Sequence, residues 1–233
     1  THTDAVLLKK TGEIIVNKVK STPKKPDLAF MESLRGLLDL SGLNIEEIDT
    51  VTHGTTVATN AVINGTFAKV GLITNAGFED ILEIGTGQRK NIYNPWVKVA
   101  EPIVPHNLRR GVPGRIDKDG NEITPLDEKV VRDIAEYFKT QDVESIAIVF
   151  LFSFANSSHE NRAKEIIEEI IPGVPVSVSS FVSPEFREYP RTATTVINSA
   201  LMPMTGAYVE SLIAELKDFG FKGDLKLMQS NGG

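Results

Sequence analysis

Between Asp49 and Thr74 the residue pattern changes its period twice, and this stretch constrains the fold more than any other. The run Asp49 to His53 reads as a strand and ends on Gly54-Thr55-Thr56. Val57 to Ile63 is compatible with a helix, Gly65 follows it, and Lys69-Val70-Gly71-Leu72-Ile73-Thr74 reads as a second strand. Strand, turn, helix and strand in that order predict a βαβ unit, which places its loops at the carboxyl edge of a parallel sheet. The alternation returns from Asp127. A helix to about Gln141, an apolar strand Ser145 to Phe150, a helix Ser158 to Ile171 and a strand Val174 to Ser179 are expected, with Ser158 capping its helix and Pro172-Gly173 stopping it. An α/β fold follows.

The flanks carry other signals. Ala5 to Leu8 and Glu13 to Val19, joined by Lys9-Lys10-Thr11-Gly12, predict a β-hairpin. Leu28, Met31, Leu34, Leu37 and Leu38 recur at helical spacing until Ser41-Gly42. A short helix is expected around Phe78 to Ile84. Gly85 to Pro113 is rich in Gly, Pro and Asn and has little periodicity, the signature of a long functional or mobile loop. Asp119-Gly120 marks a second hairpin between Arg115-Ile116-Asp117 and Glu122-Ile123-Thr124. The helical stretch from Thr192 to about Phe219 contains Pro203 and Gly206, which are expected to kink or split it, and Leu225 to Met228 reads as a last strand.

Composition narrows the function classes. With 25 Lys and Arg against 31 Asp and Glu, the 233 residues carry a net charge of −6, and no cluster of basic residues offers a footprint for nucleic acid or anionic lipid. The 41% hydrophobic share is enough for one large or two small domains. The absence of cysteine excludes a disulfide, a thiolate metal site and a Cys nucleophile, and fits a reducing cytoplasm. No apolar run approaches the roughly 18 residues of a membrane helix. Neither G-x-S-x-G nor G-x-x-x-x-G-K-[ST] occurs, which disfavours the common serine hydrolases and P-loop ATPases.

Polar residues gather at several element ends. Thr1-His2-Thr3-Asp4 offers hydroxyls and a carboxylate on a turn, suited to phosphate and Mg²⁺, or is simply a polar chain end. In His53-Gly54-Thr55-Thr56 the glycine permits close backbone approach and the following helix start offers N–H groups to an anion. The threonines are equally plain helix caps, and His53 is either a base, a donor or a structural histidine. Gln88-Arg89 can clamp a carboxylate or lactam carbonyl, or belong to a solvated loop. Pro184 to Arg191 packs Glu185, Arg187, Glu188 and Arg191 beside two aromatics, as a site or a surface ion-pair cluster. Ser230-Asn231-Gly232-Gly233 after a strand can cradle phosphate or ribose, or turn a hairpin.

Taken together, Thr1-His2-Thr3-Asp4-Ala5-Val6, His53-Gly54-Thr55-Thr56-Val57-Ala58-Thr59-Asn60-Ala61, Gly71-Leu72-Ile73-Thr74 with Gly77-Phe78-Glu79-Asp80, Phe150-Leu151-Phe152-Ser153-Phe154, Phe186-Arg187-Glu188-Tyr189-Pro190-Arg191 and Met228-Gln229-Ser230-Asn231-Gly232-Gly233 resemble the hydantoinase A/5-oxoprolinase family along essentially the whole chain. The resemblance implies an ATP-dependent amidohydrolase that opens a hydantoin, N-methylhydantoin or 5-oxoproline-type ring, or a relative that activates a substrate for carboxylation. It implies a ribonuclease H-like α/β fold of the actin, Hsp70 and hexokinase type, with mixed sheets, flanking helices and ATP with Mg²⁺ as cofactors. In that superfamily the first hairpin carries an Asp-x-Gly-Gly-Thr phosphate loop, of which Thr1 is the threonine. The chain is then expected to be the amino-terminal portion of a longer cytoplasmic enzyme, with an N-terminal domain over 1–180 and the start of the catalytic domain over 181–233. A hydantoinase B-type subunit is the expected partner, in an oligomer when full length. From their positions, Thr1, Thr3 and Asp4 face phosphates and metal, with Asp4 the metal ligand; Thr55, Thr56, Asn231, Gly232 and Gly233 complete the nucleotide side. His53, Arg89, Glu188 and Arg191 lie toward substrate. A small-molecule kinase of the same superfamily and a noncatalytic assembly domain are the competing readings.

Overall fold

The computed structural model describes residues 2–22, 25–87 and 101–228. In chain order the elements are β1 His2–Leu8, β2 Ile14–Lys20, α1 Pro26–Ser41, β3 Thr50–His53, α2 Val57–Asn64, β4 Val70–Asn75, α3 Ile81–Ile84, β5 Arg109–Val112, β6 Arg115–Ile116, β7 Glu122–Thr124, α4 Glu128–Thr140, β8 Ser145–Val149, α5 Ser158–Ile170, β9 Val176–Val178, α6 Ser179–Val182, α7 Glu188–Asp218 and β10 Asp224–Leu227. They form two compact units, Thr1–Thr59 with Thr205–Gly233 and Asn60–Met204. Helices α2 and α7 each contribute to both.

In the first unit β1 and β2 pair antiparallel, Val6 opposite Val16 and Leu8 opposite Ile14. The inward face packs on α1. Asn17 of β2 donates to the Ser33 carbonyl at 3.0 Å, and a Cβ on Gly36 would collide with the Asn17 side chain, so the missing side chain lets helix and strand close up. Gly42, in the left-handed region at φ 70°, caps α1 by donating its N–H to the Leu38 carbonyl. β3 pairs in parallel with β10. Phe30, Met31 and Leu34 of α1 and Leu212 and Leu216 of α7 make the small core beneath, with Val51 and Leu225 packed against it.

The second unit is built on a parallel sheet of order β5-β4-β8-β9. Central strands β4 and β8 are buried along their whole length, as strands covered on both faces must be. A Cβ on Gly71 would sit 2.6 Å from the fully buried Phe138 ring of α4, so this glycine is required by packing.

The predicted βαβ unit is corrected here: β3 and β4 belong to different sheets, β3 beside β10 and β4 between β5 and β8. The reason lies in their faces. β3 alternates exposed and half-buried residues and needs cover on one face, whereas β4 is apolar throughout and fits only a central position. The split expected at Pro203 does not occur either. α7 is one helix of 31 residues, with Val196 and Ala200 before the proline in the larger core and Leu212 and Leu216 after it in the smaller one. Packing on both sides outweighs the single lost backbone hydrogen bond. At α5 the start is held by Asn156 Oδ1, which accepts from Ser158 N–H at 3.0 Å, and Ser158 is the first helical residue. The expected long loop contains β5, whose parallel pairing with β4 supplies what its Arg-Arg-Gly-Val sequence does not signal.

Candidate functional site

Strands β3 and β10 end side by side. Leu227 lies opposite His53, and Met228 N–H donates to the His53 carbonyl at 2.9 Å, so the chain leaves both strands at the same carboxyl edge. Ligands of open α/β sheets bind beyond that edge. The loop leaving β3 is Gly54-Thr55-Thr56, and Thr55 Oγ1 accepts from Val57 N–H at 3.3 Å at the start of α2.

His53 is the organised side chain here. Its ring stands edge-on to Phe30, with centroids 5.0 Å apart and planes at 76°, and lies 5.8 Å from the ring of Tyr208. Nε2 is 2.7 Å from the Tyr208 hydroxyl. Burial lowers the His53 pKa from its ordinary value of 6.5, so the imidazole is neutral at neutral pH. The buried phenol is pushed upward by desolvation, a Thr55 side-chain hydrogen bond works against that, and Asp27 adds to the rise. With the His53 proton on Nδ1, the protonated phenol donates to Nε2. Thr55, Tyr208 and His53 Nε2 thus form a chain of uncharged hydrogen-bonding groups. An uncharged N–H donor beside two hydroxyl-bearing loop residues suits a carbonyl or phosphate oxygen. The sequence reading missed Tyr208. Its signal is its spacing, since Tyr208, Leu212 and Leu216 recur every fourth residue on one face of α7, and a polar-tipped aromatic on such a stripe needs a partner.

The amino-terminal segment is a strand, not a turn. Strand alternation puts Thr3 on the half-buried face and Asp4 on the exposed one. Thr3 Oγ1 lies 3.1 Å from Ser21 Oγ, and Asp4 pairs with Lys18 at 2.9 Å across the hairpin. Two side chains on opposite faces do not converge on one ion, and among the described residues no group of three His, Asp or Glu side chains is arranged to hold a metal. Thr3 and Asp4 therefore do not share one Mg²⁺ site. Thr1, Arg89, Asn231, Gly232 and Gly233 lie outside the described residues.

Glu188 and Arg191 belong to the other unit. Arg191 is 1% exposed and committed to backbone: it donates to the Phe150 carbonyl at 2.8 Å and the Glu185 carbonyl at 3.2 Å, and stacks on Phe154 at 5.2 Å. Burial lowers its pKa, while Glu160 and Glu188 pull it upward. The Glu188 carbonyl accepts from the Thr192 hydroxyl at 2.7 Å. Glu160, fully buried, accepts from Phe150 N–H at 2.9 Å, the Ser179 hydroxyl at 2.6 Å and Ser180 N–H at 2.8 Å. A buried carboxylate and a buried guanidinium thus grip the two sides of residue 150, where the chain leaves β8.

A family described as Hydantoinase/oxoprolinase N-terminal region matches residues 1–171, and one described as Hydantoinase/oxoprolinase matches 191–233. The caprolactamase subunit alpha of Pseudomonas jessenii is 39% identical over all of this chain, which covers 34% of that protein. The 5-oxoprolinase of Dictyostelium discoideum is 29% identical over 94% of the chain and is covered to 20% of its own length. The chain thus spans about a third or less of the curated relatives it matches. Among solved structures, the ATP-dependent caprolactamase of Pseudomonas jessenii superposes with a TM-score of 0.90 at 39% identity, and nucleotide-free acetone carboxylase with 0.86 at 28%; each match covers all of this chain and 35% of the other.

Proposed function

Because the chain belongs to the hydantoinase/oxoprolinase family, we propose that it serves an ATP-dependent enzyme that opens a cyclic amide, and that the carboxyl edge of β3 and β10 is its nucleotide side. The observation that carries this reading is the Thr55–Tyr208–His53 chain at that edge, a neutral donor beside loops suited to phosphate. The ring carbonyl of an unstrained amide is a poor electrophile, and ATP, when bound, supplies the phosphoryl group that turns the carbonyl oxygen into a better leaving group. The residues of this chain bind and orient. Thr55 and Thr56 with segment 229–233 hold phosphate and ribose, and His53 Nδ1–H donates to an oxygen that gains charge. Glu188, Arg191 and Arg89 are read as belonging to the substrate side, with Arg191 acting through the backbone it holds.

The fold is read as ribonuclease H-like, of actin, Hsp70 and hexokinase type, with functional segments 1–180 and 181–233, in a cytoplasmic oligomer that works with a hydantoinase B-type subunit. Likeness to acetone carboxylase favours a second reading, in which a ketone is activated for carboxylation. ADP release by the full-length protein with its partner, across hydantoins, 5-oxoproline, lactams and small ketones, separates them. Ring-opened product formed with ADP supports the hydrolase; carboxylated ketone supports the second reading; a stable phosphorylated product points to a kinase; and no nucleotide turnover on any substrate refutes both.

A further inference from the structure

A cavity of about 300 Å³ opens in the second unit beyond the carboxyl ends of β8 and β9, lined by Ser153, Phe154, Ser157, Asn161, Ser180 and Phe181 among others. That is the sheet edge where α/β folds place ligands, and the volume is at the small end of such sites. Three costly features converge on its walls. Glu160, fully buried, holds Ser179 and Ser180 through three hydrogen bonds that also include Phe150. Arg191, equally buried, holds the Phe150 carbonyl and stacks on Phe154. Phe152, between them, takes a left-handed backbone at φ 57°, which a phenylalanine adopts only where its surroundings impose it. Buried Glu160 and Arg191, each hydrogen-bonded to the backbone of residue 150, and a left-handed Phe152 fix one loop, and residues 153–155 of that loop line the cavity.

The lining defines the chemistry of the occupant. None of the lining residues is charged. Asn161 Nδ2 donates to Ser157 Oγ at 3.1 Å, which leaves Asn161 Oδ1 as an acceptor and the Ser157 hydroxyl as a donor, and the Ser180 hydroxyl has no partner among the described residues. Phe154, Val178 and Phe181 supply the apolar remainder, and Phe181 stands 87% exposed at the rim. One acceptor and hydroxyl donors beside the phenylalanines of a mixed polar and apolar pocket complement a small uncharged ring bearing an N–H and a C=O.

We infer that this cavity binds the cyclic amide itself, with the ring N–H on Asn161 Oδ1, the carbonyl on a serine hydroxyl and the methylenes against the phenylalanines. The inference rests on the cyclic-amide reading above and adds where the ring sits.

The test is nucleotide-free binding of 2-pyrrolidone and of N-methyl-2-pyrrolidone to the full-length protein, followed by ligand-observed NMR. Loss of the ring N–H is expected to weaken the second probe about fivefold, the effect of one neutral hydrogen bond. Asn161→Leu, at an exposed position in the first turn of α5, abolishes the difference between the probes, and Ser180→Ala weakens both alike. Equal binding of the two probes to the wild type, or a difference that survives Asn161→Leu, overturns the inference. ATP-dependent ring opening by the full assembly while neither probe binds the cavity overturns this inference and leaves the proposed function standing. The two-probe difference without any ring opening supports the cavity and overturns the proposed function.

Discussion

Removing one hydroxyl, in Tyr208→Phe, tests the organisation of His53 with little disturbance of shape. The phenyl ring keeps its place 5.8 Å from the imidazole, and the 2.7 Å contact to Nε2 is lost together with the hydrogen bond to Thr55. A neutral hydrogen bond contributes about 1 kcal/mol net, and the stranded Nε2 is half-buried, so the cost stays near the low end of the roughly 1–3 kcal/mol for an unsatisfied buried group. With the Thr55 contact also lost, the stability loss is about 1–2 kcal/mol. The hydrogen bond to Nε2 sets the tautomer. Without the phenol the preference for the Nδ1–H form drops by about fivefold, and ATP-dependent turnover of the full-length protein falls by a similar factor. Long-range ¹⁵N–¹H spectra of the imidazole report the tautomer directly: Nδ1–H in the wild type and a mixture in the variant. A wild-type His53 protonated on Nε2, or a variant with an unchanged tautomer and unchanged turnover, would refute the reasoning.

Three further outcomes follow from the same contacts. Gly71→Ala forces the Phe138 ring to move in a filled core and costs about 1–3 kcal/mol in denaturant unfolding, while far-UV dichroism stays native. Glu160→Ala leaves the Phe150 and Ser180 N–H groups and the Ser179 hydroxyl without their shared acceptor; a loss of about 1–3 kcal/mol is expected, read as a lower urea midpoint. Because burial depresses the His53 pKa in the folded state, the unfolded chain takes up the proton first as pH falls. The His53 contribution is then complete above about pH 6.5 and is lost as the pH drops below it, and the pH dependence of unfolding in this window diminishes in His53→Gln.

Most elements were legible because local signals agreed with burial. The hairpin at Gly12, the α1 stripe from Leu28 to Leu38 ended by Gly42, and the apolar run of β8 each satisfied backbone and core by the rule that predicted it. What escaped depended on partners distant in sequence. β5 exists because β4 pairs with it, and its Arg109 is buried because the Val104 carbonyl and Glu83 meet it. β3 and β4 looked like one βαβ unit because nothing local reveals that β10, some 170 residues on, is the neighbour of β3. In the candidate site, His53 and the threonines were readable as polar residues at a strand end. Tyr208 was not, because it reaches His53 from 155 residues away. Thr3 and Asp4 can share a site only in a turn; as a strand the segment directs them to opposite faces.

The carboxyl edge of β3 and β10 is proposed to receive nucleotide through a neutral, Tyr208-held His53. Titration of a non-hydrolysable ATP analogue into the full-length protein, observed at the His53 ring nitrogens and the amides of residues 53–56, tests it most directly. Saturable shifts are expected at Nδ1 and at the Gly54, Thr55 and Thr56 amides, with Nε2 still accepting from Tyr208. Saturable nucleotide binding that leaves His53 and this loop unperturbed would contradict it.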